Sequence, residues 1–265
     1  MMKPLRFTRK SLGIPYAVFL VFFVIIPMLV IVFYAFTDKN NHISFVNFIN
    51  FFSDPTKLST IVYSLVIALI TTVVCLVIAY PVAYILARSK MKKKYVILML
   101  FITPMWINFV LRVNAIRELL NWIGLLGEAN YLNTIIGMVY DFLPFMILPL
   151  YTTLLKIDES LYEASADLGG NAFTTFTRVT VPLSMPGIMS GITMVFLPSM
   201  TNYVVSDMLG NSKVTIIGKF IETYFGTDWH MGSMIALILL IVVFVSTLLS
   251  GGFSSDNENV RGTNL

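Results

Sequence analysis

Six long apolar runs constrain this chain more than any other feature of its sequence. They cover Ile14–Phe36, Ile61–Ala87, Tyr95–Ala115, Thr134–Leu155, Met185–Val205 and Ser233–Ser250. A helix needs about 20 apolar residues to cross the roughly 30 Å hydrocarbon core of a bilayer, and lipid offers no partner to an unpaired backbone group. The runs therefore predict an all-α integral membrane protein with about six transmembrane helices.

Prolines within these runs predict departures from regular helix. Pro198 lies in the fifth run, and Pro81, Pro104 and Pro144 lie in the second, third and fourth. Proline has no N–H for the helical hydrogen bond, and neighbouring helices must satisfy the carbonyl that it frees. We expect a kink at Pro198 and local breaks at the other three.

The composition excludes several classes of function. The chain is 57% apolar and 12% charged, whereas soluble domains have about a quarter charged residues. Its single Cys75 and its two histidines are dispersed, so no metal-ligand spacing exists. There is no phosphate-binding G-x-x-x-x-G-K-[ST] motif, no H-E-x-x-H and no G-x-S-x-G. We therefore predict a non-catalytic chain that binds no cofactor, metal or nucleic acid, and any ATP must be bound by another subunit.

The distribution of basic residues predicts the orientation. One side would carry twelve of them, namely Lys3, Arg6, Arg9, Lys10, Arg88, Lys90, Lys92, Lys93, Lys94, Lys156, Arg178 and Arg261. The opposite side would carry Lys39, Lys57, Arg117, Lys213 and Lys219. Because Lys and Arg accumulate in cytoplasmic loops, both termini are predicted in the cytoplasm. The first run is too long for a signal peptide and lacks a cleavage site, so it is predicted to be an uncleaved span.

The loop between the fourth and fifth runs, residues 158–182, is too patterned to be a passive connector. Asp158 is a suitable N-cap, and Leu161, Ala164, Ser165 and Leu168 recur with helical spacing. Gly169-Gly170 would end that helix, and Asn171 would cap a second one with Phe173 and Phe176 on one side. Pro182 would stop the regular bonding of this second helix. The loop is predicted to form a helix, a sharp turn and a helix outside the membrane.

This loop resembles the Glu-Ala-Ala loop of binding-protein-dependent ABC importer permeases, whose pattern is Glu-Ala-Ala-x3-Gly-x9-Ile-x-Leu-Pro. The chain has Glu163, Ala164, Gly169 and Pro182 at the same spacing, with Ser165, Val179 and Val181 as small or isosteric departures. The resemblance implies the MetI-like type I permease fold. It also implies a coupling helix seated on an ATP-binding subunit, with Glu163 in polar contact there, Ala164 and Ser165 allowing close approach, and Gly169 setting the turn.

The resemblance also implies the partners and the place of the chain in the membrane. They would be a homologous permease subunit that completes the pore as a heterodimer, two ATP-binding subunits that carry ATP and Mg²⁺, an extracytoplasmic solute-binding protein, and the lipid of a bacterial cell membrane. Residues 1–59 would hold the N-terminal segment, the first span and an external loop, and residues 60–250 the permease core. The polar residues 251–265 are predicted to be a disordered cytoplasmic tail.

Further segments are similar to spermidine/putrescine importer permeases. They are Tyr80–Arg88, Thr103–Asn108, Gly137–Tyr151, Phe196–Met200 and Val205–Gly210. A polyamine needs spaced carboxylates and aromatic faces along its path. The candidate path residues are Asp141, Tyr140, Trp106, Asn108, Asn202, Tyr203 and Asp207.

Each path candidate has a structural alternative. Asp141 could pair with Arg112 or with a cation of the partner permease, and Asp207 could be merely interfacial. Tyr and Trp residues near span ends are often membrane anchors. Arg112 and Arg117 could instead face an anionic solute, so another solute remains an alternative. A secondary transporter is a further alternative, although no inverted repeat or filter-like loop is evident.

Overall fold

The computed structural model describes residues 13–40, 42–211 and 214–251. All regular secondary structure in these ranges is helical, and an isolated antiparallel bridge joins Thr37 and Ile43. The predicted tail lies outside the described residues beyond Gly251. Several residues of the orientation prediction also lie outside them, namely Lys3, Arg6, Arg9, Lys10, Lys213 and Arg261.

Eleven helices account for the described ranges when adjoining helical turns are joined. They are α1 (Gly13–Ala35), α2 (Val46–Phe52), α3 (Pro55–Arg88), α4 (Lys94–Trp106), α5 (Phe109–Trp122), α6 (Asn130–Leu155), α7 (Glu159–Asp167), α8 (Ala172–Thr201), α9 (Tyr203–Leu209), α10 (Ile217–Thr227) and α11 (Trp229–Gly251). Turns of π-helix interrupt α1 at Val21–Ile25 and α8 at Phe176–Thr180, and α4 ends in the 3₁₀ turn Thr103–Trp106.

Five of these helices, α1, α3, α6, α8 and α11, are long and apolar enough to cross a membrane. The pair α4 and α5 makes a sixth candidate, but its two helices are bent by 102° at the break between them. The prediction of about six transmembrane helices is therefore confirmed. The run Tyr95–Ala115 is thus a strongly bent span rather than a straight one.

The break between α4 and α5 has a local cause. Ile107 is extended, and the side chain of Asn108 accepts a hydrogen bond of 3.0 Å from the backbone N–H of Val110. An asparagine in this position caps a new helix rather than continuing the old one. The break predicted at Pro104 is confirmed, because the regular α-helix ends at Ile102 and Pro104 lies in the 3₁₀ turn that follows it. Asn108 defines where the next helix begins.

The other proline predictions had mixed outcomes. Helix α3 continues through Pro81 and α6 continues through Pro144, so the breaks predicted there are wrong. Helix α8 also continues through Pro198 and ends at Thr201. The Pro198 carbonyl accepts from the backbone N–H of Asn202 at 3.0 Å and from the Thr201 hydroxyl at 3.1 Å. The fifth run is thus interrupted, but at Asn202.

The described chain divides into two compact units. The first contains Phe220–Val242 and the described residues up to Leu58, and the second contains Ser59–Lys219 and the described residues from Val243 onwards. The core of the second unit lies around α6, whose Met138, Met146 and Leu150 are fully buried.

Helices α6 and α8 approach each other closely through two glycines of α8. A Cβ added at Gly187 would lie 2.7 Å from the Thr153 hydroxyl, and one at Gly191 would lie 2.5 Å from the Met146 sulfur. Small residues four apart allow membrane helices to pack backbone to backbone. A movement of one of these helices is therefore expected to carry the other with it.

Candidate functional site

The segment from Asp158 to Pro182 begins with a capped helix, as predicted. The Asp158 carboxylate accepts a hydrogen bond of 3.0 Å from the backbone N–H of Ser160, and α7 begins at Glu159. The same backbone hydrogen bond lowers the pKa of Asp158 below its ordinary value. The carboxylate is therefore charged at neutral pH, and its negative charge interacts favourably with the positive N-terminal end of the helix dipole.

The end of α7 is a tight glycine turn. Gly169 has a φ of 77°, which a residue with a side chain rarely adopts, and its N–H donates to the Ala166 carbonyl at 2.9 Å. The N–H of Gly170 donates to the Ser165 carbonyl at 2.9 Å, and a Cβ there would lie 2.7 Å from that oxygen. These two bonds form a Schellman motif and confirm the predicted stop at Gly169-Gly170.

The second half of the segment differs from the prediction. Asn171 caps it as expected, accepting from the backbone N–H of Thr174 at 2.8 Å. However, Pro182 does not end the helix. The π turn Phe176–Thr180 lies just before it, and there the N–H of Val181 donates to the carbonyl of Phe176, five residues earlier. The segment therefore runs without interruption into the long helix α8, and the prediction of a separate short helix is wrong.

The segment is also attached to the end of α3. The rings of Tyr80 and Tyr84 meet the ring of Phe176 edge to face, with centroids 5.6 and 5.8 Å apart. The guanidinium carbon of Arg88 lies 3.6 Å from the centre of the Tyr162 ring on α7. Residues 80, 84 and 88 lie on one face of α3, because they are four residues apart, and this spacing is visible in the sequence.

The outward surface of the segment is apolar and acidic. Leu168 is 89% exposed and Phe173 is 75% exposed, and Glu163 and Leu161 are exposed as well. Phe173 and Phe176 were predicted to share a side, but Phe176 packs on α3 and Phe173 does not. Large apolar side chains clustered outside a membrane span commonly mark a protein–protein contact.

The two predicted close-approach residues lie between the helices of the segment. Ser165 is half-buried, and its hydroxyl lies 2.8 Å from that of Thr175, which ties α7 to α8. Ala164 is exposed and lines a groove of about 340 Å³ together with Leu161, Leu168 and Arg178. The described segment is thus a fixed elbow with an open groove.

Among the path candidates, Asp141 is paired within the chain. Its Oδ1 lies 2.7 Å from Nη2 of Arg112 on α5, and the two side chains are only 5% and 8% exposed. The pairing with Arg112 that the sequence left open is therefore the arrangement observed. Nε and Nη1 of Arg112 are buried without a hydrogen-bond partner among the described residues.

The other membrane candidates near α5 and α6 do not gather around Asp141. Tyr140 is exposed on α6, next to Asp141 in sequence. Trp106 is exposed at the end of α4, and Asn108 is occupied as the cap of α5. No contact among the described residues joins these three side chains into one site.

The last three candidates occupy the junction that follows α8. Asn202 caps α9, with its Oδ1 3.5 Å from the backbone N–H of Val205. Tyr203 and Asp207 lie one helical turn apart on α9, and Lys219 approaches both. Its Nζ lies 3.2 Å from Asp207 Oδ2 and 5.5 Å from the centre of the Tyr203 ring. Lys219 was predicted to lie in an external loop, and its contact with Asp207 and Tyr203 was not predicted.

Comparisons with known proteins agree with this architecture. A model of the family described as binding-protein-dependent transport system inner membrane component matches residues 79–254. The spermidine/putrescine transport system permease protein PotB of Haemophilus influenzae is 34% identical over 261 residues, covering 90% of this chain and 91% of that protein. The PotB protein of Escherichia coli K12 is 35% identical over 253 residues, covering 87% and 92%.

Solved structures share the fold. A chain of a bacterial ABC transporter involved in the import of the acidic polysaccharide alginate superposes with a TM-score of 0.73 at 17% identity, covering 92% of this chain and 95% of that chain. A chain of the MetNI methionine ABC transporter superposes with a TM-score of 0.56 at 18% identity, covering 76% and 97%. The predicted MetI-like permease fold is confirmed, and the chain is a multi-pass membrane protein that belongs to the binding-protein-dependent transport system inner membrane component family.

Proposed function

We propose that this chain forms half of the translocation pore of an ATP-driven importer for polyamines such as spermidine and putrescine. The observation that carries the proposal is the coupling segment, residues 158–182. It presents Glu163 and exposed apolar side chains on an elbow that continues directly into α8. A rigid elbow of this kind can pass the closure of an ATPase to the membrane helices as a rigid-body movement.

The proposed assembly contains four further subunits. A homologous permease would complete the pore, two ATP-binding subunits would each receive a coupling segment, and an extracytoplasmic protein would deliver the solute. Glu163 would make polar contacts with one ATPase while Leu168 and Phe173 enter an apolar depression on it. Residues 60–250 would supply the permease core, with the first span outside it. In this assembly ATP and Mg²⁺ belong to the ATPases.

The polyamine assignment has two supports. The relatives that are 34–35% identical over most of the chain are spermidine/putrescine permeases. In addition, Asp207 and Tyr203 hold an ammonium group, that of Lys219, between a carboxylate and an aromatic ring. This is the chemistry that recognises an alkylammonium ion. Tyr140, Trp106, Asn108 and Asn202 remain proposed contacts along the path.

Reconstitution tests the proposed function directly. The complete importer in proteoliposomes is expected to accumulate radiolabelled spermidine or putrescine only when ATP is present on the side of the ATPases. Uptake of another solute but not of either polyamine would support the alternative importer. Uptake that continues without ATP and without the ATPases would support the secondary transporter and contradict the proposal.

The proposed orientation places both termini and the loop after α3 in the cytoplasm. Lys92 is exposed in this loop, and the native Cys75 is fully buried, so a Lys92→Cys variant offers a single reactive thiol among the described residues. We expect an impermeant maleimide to label this variant in inverted membrane vesicles but not in intact cells. The exposed Glu128, predicted to be outside, gives the matched variant Glu128→Cys, which should label in intact cells. The reverse pattern would overturn the orientation.

A further inference from the structure

The contact of Lys219 with Asp207 and Tyr203 is a complete ammonium-binding arrangement built from the chain itself. The carboxylate oxygen lies 3.2 Å from the ammonium nitrogen, and the ring centre lies 5.5 Å from it. The side chains of Lys219 and Asp207 are 33% and 40% exposed, so the pair is open to a solute on one side. A primary alkylammonium group is also what each end of a polyamine carries.

Three contacts, two of them buried hydrogen bonds, hold the residues before Lys219 in place. The Ser206 hydroxyl donates to the Val214 carbonyl, and the backbone N–H of Ile217 donates to the Ser64 hydroxyl at 2.7 Å. The backbone of Gly218 is packed so closely against Thr201 that an added Cβ would collide with the Thr201 carbonyl. The backbone that leads to Lys219 is therefore held in place, and the flexible lysine side chain is the part that can leave the site.

We infer that Lys219 is a tethered competitor that occupies the Asp207–Tyr203 site until an ammonium group of a passing polyamine displaces it. The inference rests on the proposed polyamine function. Exchange of one ammonium for another keeps the Asp207 carboxylate paired throughout, and the displaced Lys219 ammonium, whose side chain is already 33% exposed, can turn to solvent. Return of the lysine would then weaken the hold on the solute, as a transport path requires binding weak enough for release.

An ion pair that only stabilises the fold would respond to mutation differently from a competitor for the solute site. The variants Lys219→Met and Asp207→Asn both destroy the same pair, so a structural role would shift any measured property in the same direction in both. Competition predicts that the affinity for spermidine changes in opposite directions, because Lys219→Met removes the competitor whereas Asp207→Asn removes the site. The sign of the change therefore separates the two interpretations.

The experiment measures equilibrium binding of radiolabelled spermidine to the assembled permease pair and ATPases in nanodiscs, without the binding protein, so that only sites on the path contribute. We expect Lys219→Met to lower the dissociation constant about fivefold and Asp207→Asn to raise it about fivefold. The double variant should bind like Asp207→Asn. The control is Lys39→Met, which removes a lysine that is 3.4 Å from Asp228 and largely exposed, and it should leave binding unchanged.

The inference would be overturned if the dissociation constants of the two variants shifted in the same direction, or if that of Lys219→Met did not shift. It would also be overturned if neither the unaltered assembly nor Lys219→Met bound spermidine detectably. ATP-driven uptake by the complete unaltered importer separates this outcome from a failure of the proposed function. If the importer takes up spermidine but Lys219→Met has an unchanged dissociation constant, only the inference that Lys219 is a competitor is contradicted. Absence of uptake of either polyamine contradicts the proposed function itself.

Discussion

Replacing Glu163 by lysine is expected to abolish ATP-driven uptake while the chain still folds in the membrane. Glu163 is exposed on α7, and the structure records no ion pair or hydrogen bond to its side chain among the described residues. Inverting its charge therefore costs the isolated chain little. At the proposed contact with an ATPase, a like-charge juxtaposition costs several kcal/mol, which corresponds to a loss of more than about 100-fold in productive docking.

Three measurements check this prediction. Uptake by the complete importer should be lost, the amount of chain in the membrane should be unchanged, and the ATPase should no longer co-purify with the permease. Glu163→Gln, which removes the charge without inverting it, should retain part of the activity. The matched control Glu128→Lys makes the same inversion at an exposed carboxylate outside the segment and should be active. Normal transport by Glu163→Lys would contradict the coupling assignment.

The sequence correctly predicted those parts of the coupling segment whose structure depends only on residues adjacent in the chain. A carboxylate before a helix and a pair of glycines after it need only their nearest neighbours, so Asp158, Gly169 and Asn171 behave as expected. The course of the chain through Pro182 depends on a π turn and on the contact of Phe176 with Tyr80 and Tyr84. These contacts join residues almost a hundred positions apart, and sequence periodicity carries no information about them.

In the membrane spans, too, the sequence predicts local features but not those that depend on tertiary contacts. Hydropathy detects a long run because transfer into lipid depends on composition, and it therefore finds about six spans. It does not detect a bend of 102° within an apolar run, which here depends on the extended Ile107 and on the cap formed by Asn108. Likewise, the sequence predicted Asp141 and Asp207 as intramembrane or interfacial carboxylates and offered Arg112 as one possible partner of Asp141. The choice of Arg112, and the pairing of Asp207 with Lys219, appear only in the tertiary structure.

Removing one member of the Arg112–Asp141 pair is expected to be strongly destabilising. The two side chains are 8% and 5% exposed, and their charged atoms lie 2.7 Å apart. Asp141→Ala leaves the guanidinium buried and uncompensated, which typically costs about 3–5 kcal/mol. The double replacement Arg112→Met with Asp141→Leu removes both charges and should recover much of that loss, because a well-packed apolar pair avoids the desolvation of two ions. The measurement is thermal unfolding of the purified importer in detergent for the unaltered protein, for Asp141→Ala and for the double replacement.

A more conservative variant, Asp141→Asn, decides whether Asp141 also serves the solute path. Asp141→Asn keeps a polar side chain of nearly the same shape, so enough folded protein should remain for an uptake measurement. If the pair is structural, this variant unfolds at a lower temperature while the half-saturating spermidine concentration stays unchanged. The control Lys39→Ala, which breaks the largely exposed pair with Asp228, should change stability by no more than about 1 kcal/mol. A several-fold rise in the half-saturating concentration at an unchanged unfolding temperature would instead place Asp141 in contact with the solute, since a residue that only packs the core cannot alter binding without altering stability.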